Sequence, residues 1–327
     1  MKRNIFSLLV IFVVSTMFFV GCSSKEVATE NDVKTLADSV VIDDNTVKFV
    51  DAMGDEITLD KNPQKVICLY NSYLDLWYEA QGKVIGRIKT KGAVHEEAKD
   101  VEIVGTMSQP NAEKILSMQP DLVILTPSMK GQKEIIPILK DNKIPYLAVE
   151  YETFDKYMYI MRIFTALTND EEAYNEKGIK IEKEINDIIS KIPTEGNPSV
   201  LLMFASTKSV KVKLPNSTVG AMLDDLKANN IAYDAKLTEE KMEIFSMEKI
   251  IERNPDYILV QTMGDVEKIK DKLIKDVESN PAWKSLTAVK EGRYIILPKD
   301  LYLYKANARY AEAYMGLAKI LYPDIFK

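Results

Sequence analysis

Side chains able to do chemistry are few in this chain, and they favour holding a ligand over transforming one. His95 is the only histidine and Cys22 and Cys68 are the only cysteines, whereas tyrosine (16) and methionine (14) are plentiful. A single histidine excludes a multi-histidine zinc site. It also leaves any Ser-His-Asp triad dependent on His95, which sits in the polar run Ala93–Lys99 where a solvated surface side chain is expected. There is no Gly-x-Gly-x-x-Gly, no Gly-Lys-Ser/Thr and no Gly-x-Ser-x-Gly. Acidic residues are spread along helix faces, so neither a carboxylate dyad nor a calcium loop is expected. Cys68, inside Val66-Ile67-Cys68-Leu69, reads as a core thiol. What remains stands at the ends of apolar runs: Tyr70 and Tyr73, Arg87, Tyr151, and the loop Tyr302-Leu303-Tyr304-Lys305. Tyrosines can stack on flat groups or hydrogen-bond through the phenol, and an arginine can pair with a carboxylate.

The elements that must position these groups occur in two copies. Glu113, Lys114, Ile115, Pro120 and Asp121 recur as Glu248, Lys249, Ile250, Pro255 and Asp256, all at an offset of 135 residues. That spacing is too long for a solenoid repeat and points to two similar domains. In each copy Asn111 or Ser246 supplies an N-cap, and the glutamate lies in the first helical turn, facing the positive end of the helix dipole. Pro120 and Pro255 end the helix, and the apolar runs Leu122–Leu125 and Tyr257–Val260 follow as strands covered on both faces. Lys65–Leu69 and Ser199–Met203 open the two halves in the same way.

The N-terminus differs from the rest. Lys2 and Arg3 precede an apolar run from Ile5 to Val20, and Phe19-Val20-Gly21-Cys22 resembles a lipobox. Residues 1–21 are therefore expected to be a lipoprotein signal peptide, with Cys22 as the lipidation site; the rival is an uncleaved anchor. The 327-residue chain carries a net charge of −6, and loss of Lys2 and Arg3 makes the mature chain two units more negative, which argues against nucleic acid as a partner. Residues 22–45 are polar and acidic and read as a flexible tether. The order beyond it is an N-terminal α/β lobe (46–168), an interlobe helix (169–193) and a C-terminal α/β lobe (194–327). The first lobe opens on a hairpin at Thr46–Val50 and Glu56–Leu59, then places strands near 65–69, 83–87, 122–126 and 145–149 and helices near 72–81, 111–118 and 131–141. A helix from about 170 to 192 would be about 35 Å long. The second lobe has strands near 199–204, 256–261 and 293–297 and a closing helix from Asn307 to Leu321. The fold class is thus α/β: two similar lobes, each a mostly parallel sheet flanked by helices, joined by one long helix. Ligands of such sheets sit beyond the carboxyl ends of the strands, here in the groove between lobes.

The lipobox, the hairpin with Leu59-Asp60-Lys61-Asn62-Pro63, the repeated Glu-to-Asp motifs and the ending Asn280-Pro281-Ala282-Trp283 through Gly292-Arg293 together resemble one family. This is the iron-complex and cobalamin class of substrate-binding proteins for ATP-driven importers, the helical-backbone receptors. The resemblance covers residues 45–327. It implies a passive receptor with no intrinsic cofactor, anchored outside the cell membrane and monomeric, whose partners are an ABC permease, its ATPase and a small-molecule iron complex. It implies that Glu113 and Glu248 dock onto the permease; complementing their helix dipoles is the alternative. It also implies that Met107, in Val104–Asn111, and Met263, in Gln261-Thr262-Met263-Gly264, occupy loops that hold the axial ligands in haem receptors, Met107 lying one place earlier than the family's methionine. Two thioethers can hold haem iron. The ligand-binding set is then Tyr70, Tyr73, Arg87, Met107, Met263, Tyr302 and Tyr304, with haem ahead of a ferric siderophore and cobalamin third. The rival readings are a surface-anchored α/β enzyme, which lacks a nameable nucleophile or poised acid, and an adhesive lipoprotein.

Overall fold

The structure is a computed structural model that describes residues 35–90, 92–233, 242–243 and 246–327. The expected signal peptide and Cys22 lie outside the described residues. The expected tether does not reach residue 45. Ala37 and Val40 are buried, and β1 (Val41–Ile42) pairs with β2 (Thr46–Val50), which pairs in turn with β3 (Glu56–Asp60). Two small apolar side chains in a polar stretch are enough to fold it onto the domain, and composition averages them away. The hairpin is as expected, with Thr46 opposite Asp60 and Val50 opposite Glu56, and Gly54 taking a positive φ of 83° in its turn.

The N-terminal lobe holds a five-stranded parallel sheet. Its strands are β4 (Val66–Cys68), β5 (Gly86–Lys89), β6 (Glu102–Thr106), β7 (Leu122–Leu125) and β8 (Tyr146–Ala148), in the order β6-β5-β4-β7-β8. β6 was not expected. It is an edge strand with Glu102, Ile103 and Thr106 exposed, so it carries no continuous apolar run. The helices are α1 (Asn71–Glu79), α2 (Ala112–Ser117), α3 (Lys130–Lys133) and α4 (Ile136–Asp141). The last two replace one expected helix, because Pro137 in the first turn of α4 cannot donate backward into a continuing helix.

Between the lobes, α5 (Phe154–Thr168) stops at Asn169, which adopts a left-handed conformation. Asp170 then caps a second helical run by accepting from Ala173 N. That run comprises α6 (Glu171–Tyr174), a π turn (Asn175–Ile179) and α7 (Lys180–Ile189), with helical backbone at each junction. It is shorter than expected, about 28 Å, and it buries Ile181, Ile185 and Ile188. A π turn widens the helix and misaligns a carbonyl; here the Tyr157 hydroxyl donates to Lys177 O at 2.5 Å.

The C-terminal lobe builds on β9 (Ser199–Ser206), β10 (Val210–Lys213), β11 (Asn229–Asn230), β12 (Met242–Glu243), β13 (Tyr257–Met263) and β14 (Tyr294–Ile296). The order is β12-β10-β9-β13-β14, with β11 beside β9; β10 and β12 run antiparallel to their neighbours β9 and β10, and the other pairings are parallel. The hairpin β9–β10 was missed because Lys208, Lys211 and Lys213 interrupt its apolar pattern. The helices are α8 (Thr218–Asp225), α9 (Met247–Arg253), α10 (Val266–Leu273), α11 (Thr287–Lys290), α12 (Lys299–Tyr302) and α13 (Tyr310–Leu321).

Alternation along the strands sorts the interior. Val66, Cys68, Leu122, Ile124, Leu147, Val200, Leu202, Tyr257 and Leu259 face one core that α5, α7 and α13 also line. Their neighbours Ile67, Leu69, Val123 and Leu125 face a second core private to the first lobe, and Leu201, Met203, Ile258 and Val260 a third in the second lobe. The strands are therefore buried on both faces, as continuous apolar runs require. Cys68 is wholly buried, and burial pushes its thiol up to about 12, which leaves it inert at neutral pH.

The repeated Pro-Asp has the same task in both lobes. Asp121 accepts from Gln64 N and Lys65 N at 2.7 and 2.8 Å, and Asp256 accepts from Ser199 N and Oγ at 2.8 and 2.7 Å. Each carboxylate ties the start of its strand to the start of the strand that opens the lobe. Asp256 is half-buried and Asp121 exposed. Asp256→Ala is therefore expected to cost about 2 kcal/mol and Asp121→Ala about 1 kcal/mol in denaturant unfolding; equal losses would contradict the burial argument.

Candidate functional site

In both lobes the helix bearing the repeated glutamate starts at the carboxyl edge of the sheet. α2 follows β6 through the loop 107–111 and returns to the amino end of β7. α9 follows β12, which points the same way as β9, and returns to the amino end of β13. Asn111 and Ser246 cap these helices by accepting from Lys114 N and Lys249 N, at 2.9 and 3.2 Å. Glu113 and Glu248 are both exposed in the first turn.

At the carboxyl edge of the first sheet, Tyr70 is half-buried at the cap of α1, its ring stacked 4.5 Å from that of Tyr73. Tyr73 is buried and lies 5.7 Å from Tyr151. Burial, then Glu152 and Glu150, raises the Tyr70 phenol, so it presents a neutral hydroxyl. Met107 opens the loop after β6 and is half-buried against the first lobe's private core. In the second lobe Met263 ends β13 with 52% of its surface exposed, and Tyr304 is 55% exposed.

Three expected ligand groups are not offered to a ligand: Tyr73, 2% exposed beneath the Tyr70 ring, Arg87 and Tyr302. Arg87 is buried, and its guanidinium donates to the carbonyls of Ala98, Lys99 and Ile88 at 2.6, 2.7 and 3.2 Å. A buried guanidinium must satisfy its N–H groups, and the 3-10 turn at Glu96–Ala98 with the following Lys99 supplies two of the acceptors and β5 itself the third. Tyr302 is buried as well; its hydroxyl donates to Ala313 O at 2.9 Å, and its carbonyl accepts from Gln261. It is a spacer between α12 and α13. His95 is half-buried and stacks on Tyr78 at 4.2 Å, which the polar sequence around it did not indicate.

The lobes meet through polar groups on segments flanking this edge. Asn307, buried and left-handed, donates to Ser72 O at 2.8 Å and accepts from the Tyr151 hydroxyl at 2.5 Å. Lys305 pairs with Glu152 at 3.2 Å, lies over the Tyr151 ring and donates to Tyr151 O, while Thr218 donates to Glu152. Ala308 N donates to Glu79 Oε1 at 3.4 Å; Glu79 Oε2 is buried and has no partner among the described residues. Glu79, Glu152 and Asn307 escaped sequence reasoning because nothing local marks them; each matters only through its partner in the other lobe. Arg309 stays on the surface, paired with Asp300 and Glu312 at 2.8 and 2.7 Å. A cavity of about 420 Å³ lined by Ser199, Gly220, Asn229 and Arg253 lies at the amino end of β9 and gathers none of these groups.

A model of the family described as periplasmic binding protein matches residues 66–301. The chain belongs to this family. Members bind ligands for transport, and this chain is a binding protein and not an enzyme. It is 28% identical over 86% of its length, and 87% of the other's, to an uncharacterized ABC transporter substrate-binding lipoprotein, YvrC, of Bacillus subtilis. It is 30% identical over 77% of its length to the iron-uptake system-binding protein of the same organism, covering 73% of that protein. The crystal structure of Staphylococcus aureus IsdE complexed with heme superposes with a TM-score of 0.67 at 19% identity, covering 79% of this chain and 98% of that one. The two-lobed fold of the binding protein is thereby shown.

Glu79 is expected to make the interlobe joint of this binding protein sensitive to pH. Burial, only partly offset by the Ala308 N–H and by Lys177, raises its carboxyl from 4.5 to about 7. A raised folded value means that the folded state holds the proton more tightly, so the stabilisation is complete below about 4.5 and is lost as the pH rises through about 7. The stability of the wild type relative to Glu79→Gln is expected to fall by about 3 kcal/mol across that window. Parallel stability–pH curves from denaturant unfolding would refute it.

Proposed function

We propose that this protein is the lipid-anchored extracytoplasmic receptor of an ABC importer, that it captures an iron complex between the carboxyl edges of its two sheets, and that haem is the preferred cargo. Related proteins carry names for iron uptake and haem binding, which supports the cargo class. The observation that carries the haem reading is the position of two thioethers: Met107 after β6 in one lobe and Met263 at the end of β13 in the other. Thioether sulfur is a competent axial ligand of haem iron, and one residue from each lobe would let the iron itself bridge the groove. Tyr70 and Tyr304 would lie against the macrocycle or its propionates, with Tyr73 backing Tyr70.

A ferric siderophore is the second reading, favoured by the neutral phenol of Tyr70, a hydrogen-bond donor suited to a chelate's oxygens. In either case Glu113 and Glu248 would engage the permease, one from each lobe, and Cys22 would carry the lipid. As helix-dipole partners alone, the two glutamates would contribute only about 0.3–1 kcal/mol each.

Haem added to the purified mature protein is expected to give a saturable shift of the Soret band. Met107→Ala and Met263→Ala are each expected to alter that spectrum and weaken binding at least tenfold. No saturable shift, together with quenching of Trp77 or Trp283 emission by a ferric siderophore, would transfer the cargo to the second reading. Glu113→Lys with Glu248→Lys is expected to leave ligand affinity unchanged and to reduce receptor-stimulated ATP hydrolysis by the reconstituted importer at least tenfold. Full stimulation by the double variant would exclude the docking role.

A further inference from the structure

Three of the loops at the carboxyl edge of the first sheet converge on one side chain that touches the groove nowhere itself. Gln132, in the four-residue helix α3, is completely buried. Its Nε2 donates to Leu69 O at 2.8 Å and to Met107 O at 2.9 Å, and its Oε1 accepts from Thr126 N at 2.9 Å. Both amide hydrogens and the carbonyl are thus used, and the amide orientation is fixed, since the reverse would set an oxygen against two carbonyls. The three partners belong to three different strand-end loops. Leu69 immediately precedes Tyr70, Met107 opens the loop after β6, and Thr126 follows β7 and bonds Ser128 through its hydroxyl at 2.9 Å.

The residue beside it strengthens the arrangement. A Cβ on Gly131 would stand 2.1 Å from Ser108 O, so the loop of Met107 is pressed against α3 backbone to backbone. A Lys-Gly-Gln-Lys helix has little intrinsic reason to form. Its place in the fold follows from what Gln132 and Gly131 hold.

Building on the ligand site proposed above, we infer that Gln132 is the positioning residue of that site: it sets the height of Met107 and Tyr70 relative to each other, so that the first lobe's wall is formed before any ligand arrives. The amide is a fixed cross-brace in a low-dielectric setting, where satisfied hydrogen bonds are strong and unsatisfied ones costly. Pre-ordering of this kind lowers the entropic cost of binding.

The test uses full-length mature protein labelled with 13C at the methionine methyl groups, Met107 being assigned through Met107→Leu. In Gln132→Glu the acceptor for Thr126 N survives while the two donors to Leu69 O and Met107 O are replaced by a carboxylate. The Met107 methyl resonance of the ligand-free variant is expected to shift and broaden, with that of Met263 unmoved. Affinity for whichever probe binds the wild type, haem or a ferric siderophore, is expected to fall at least tenfold. A folded Gln132→Glu protein with an unchanged Met107 resonance and unchanged affinity overturns the inference. Should that variant not fold, the wild type decides. Thr126 N–H must then exchange slowly with solvent, because Gln132 is its hydrogen-bond acceptor, and rapid exchange there overturns the inference equally. The methyl and exchange measurements need no ligand, so failure of the haem reading is told apart from failure of this one.

Discussion

Burial of both faces of both sheets is the constraint on which the rest of the molecule depends. Side chains on β4, β7 and β8 point alternately into a core shared with the other lobe and into one private to their own, and β9 and β13 do the same. The central strands β4, β7, β8, β9 and β13 leave almost no interior position to present a polar group to solvent, so a group that recognises a ligand there must stand where they end. The groups proposed for recognition, Tyr70, Met107, Met263 and Tyr304, accordingly come from strand ends and the loops beyond them, and a neighbour such as Cys68 is inert.

The shared core also explains how two lobes behave as one receptor. α5, α7 and α13 contribute to the same apolar interior as the inner faces of both sheets, so the lobes are joined by packing as well as by the helix that connects them. The polar contacts of Asn307, Lys305 and Glu79 sit at the rim of that interior. A joint of this kind, apolar beneath and hydrogen-bonded above, resists large hinge motion, because opening it would expose the apolar surface and orphan the buried amide of Asn307.

Much of this was legible in order of elements. The offset of 135 residues announced two related lobes, and the Pro-Asp of each copy proved to be a clamp between neighbouring strands. Elements with a strong local signal, the continuous apolar strands and the capped helices, lie close to where periodicity sets them. Those without one were missed or misjudged: β6 because an exposed edge strand carries no continuous apolar run, β10 because lysines interrupt it, residues 35–45 because only two side chains are buried, and the π turn because a one-residue widening leaves the apolar spacing nearly unchanged. The site was less legible. Strand-end position picked out Tyr70, which stands half-buried at the carboxyl edge, but Tyr73, Arg87 and Tyr302 hold the same kind of position and are buried.

By itself, the sequence determined the kind and order of the elements: a duplicated α/β scaffold of capped helices and continuous apolar strands. These properties follow from local pattern, because capping, proline placement and hydrophobic period act over a few residues. Only the tertiary structure decided which side chains face a ligand and which face protein. Arg87 needed carbonyls from residues 88, 98 and 99, Tyr302 needed Ala313, and Gln132 needed three separate loops, and whether such partners are within reach is set by the packing of distant segments. A polar side chain takes whichever partner desolvation leaves it, and that choice is made in three dimensions.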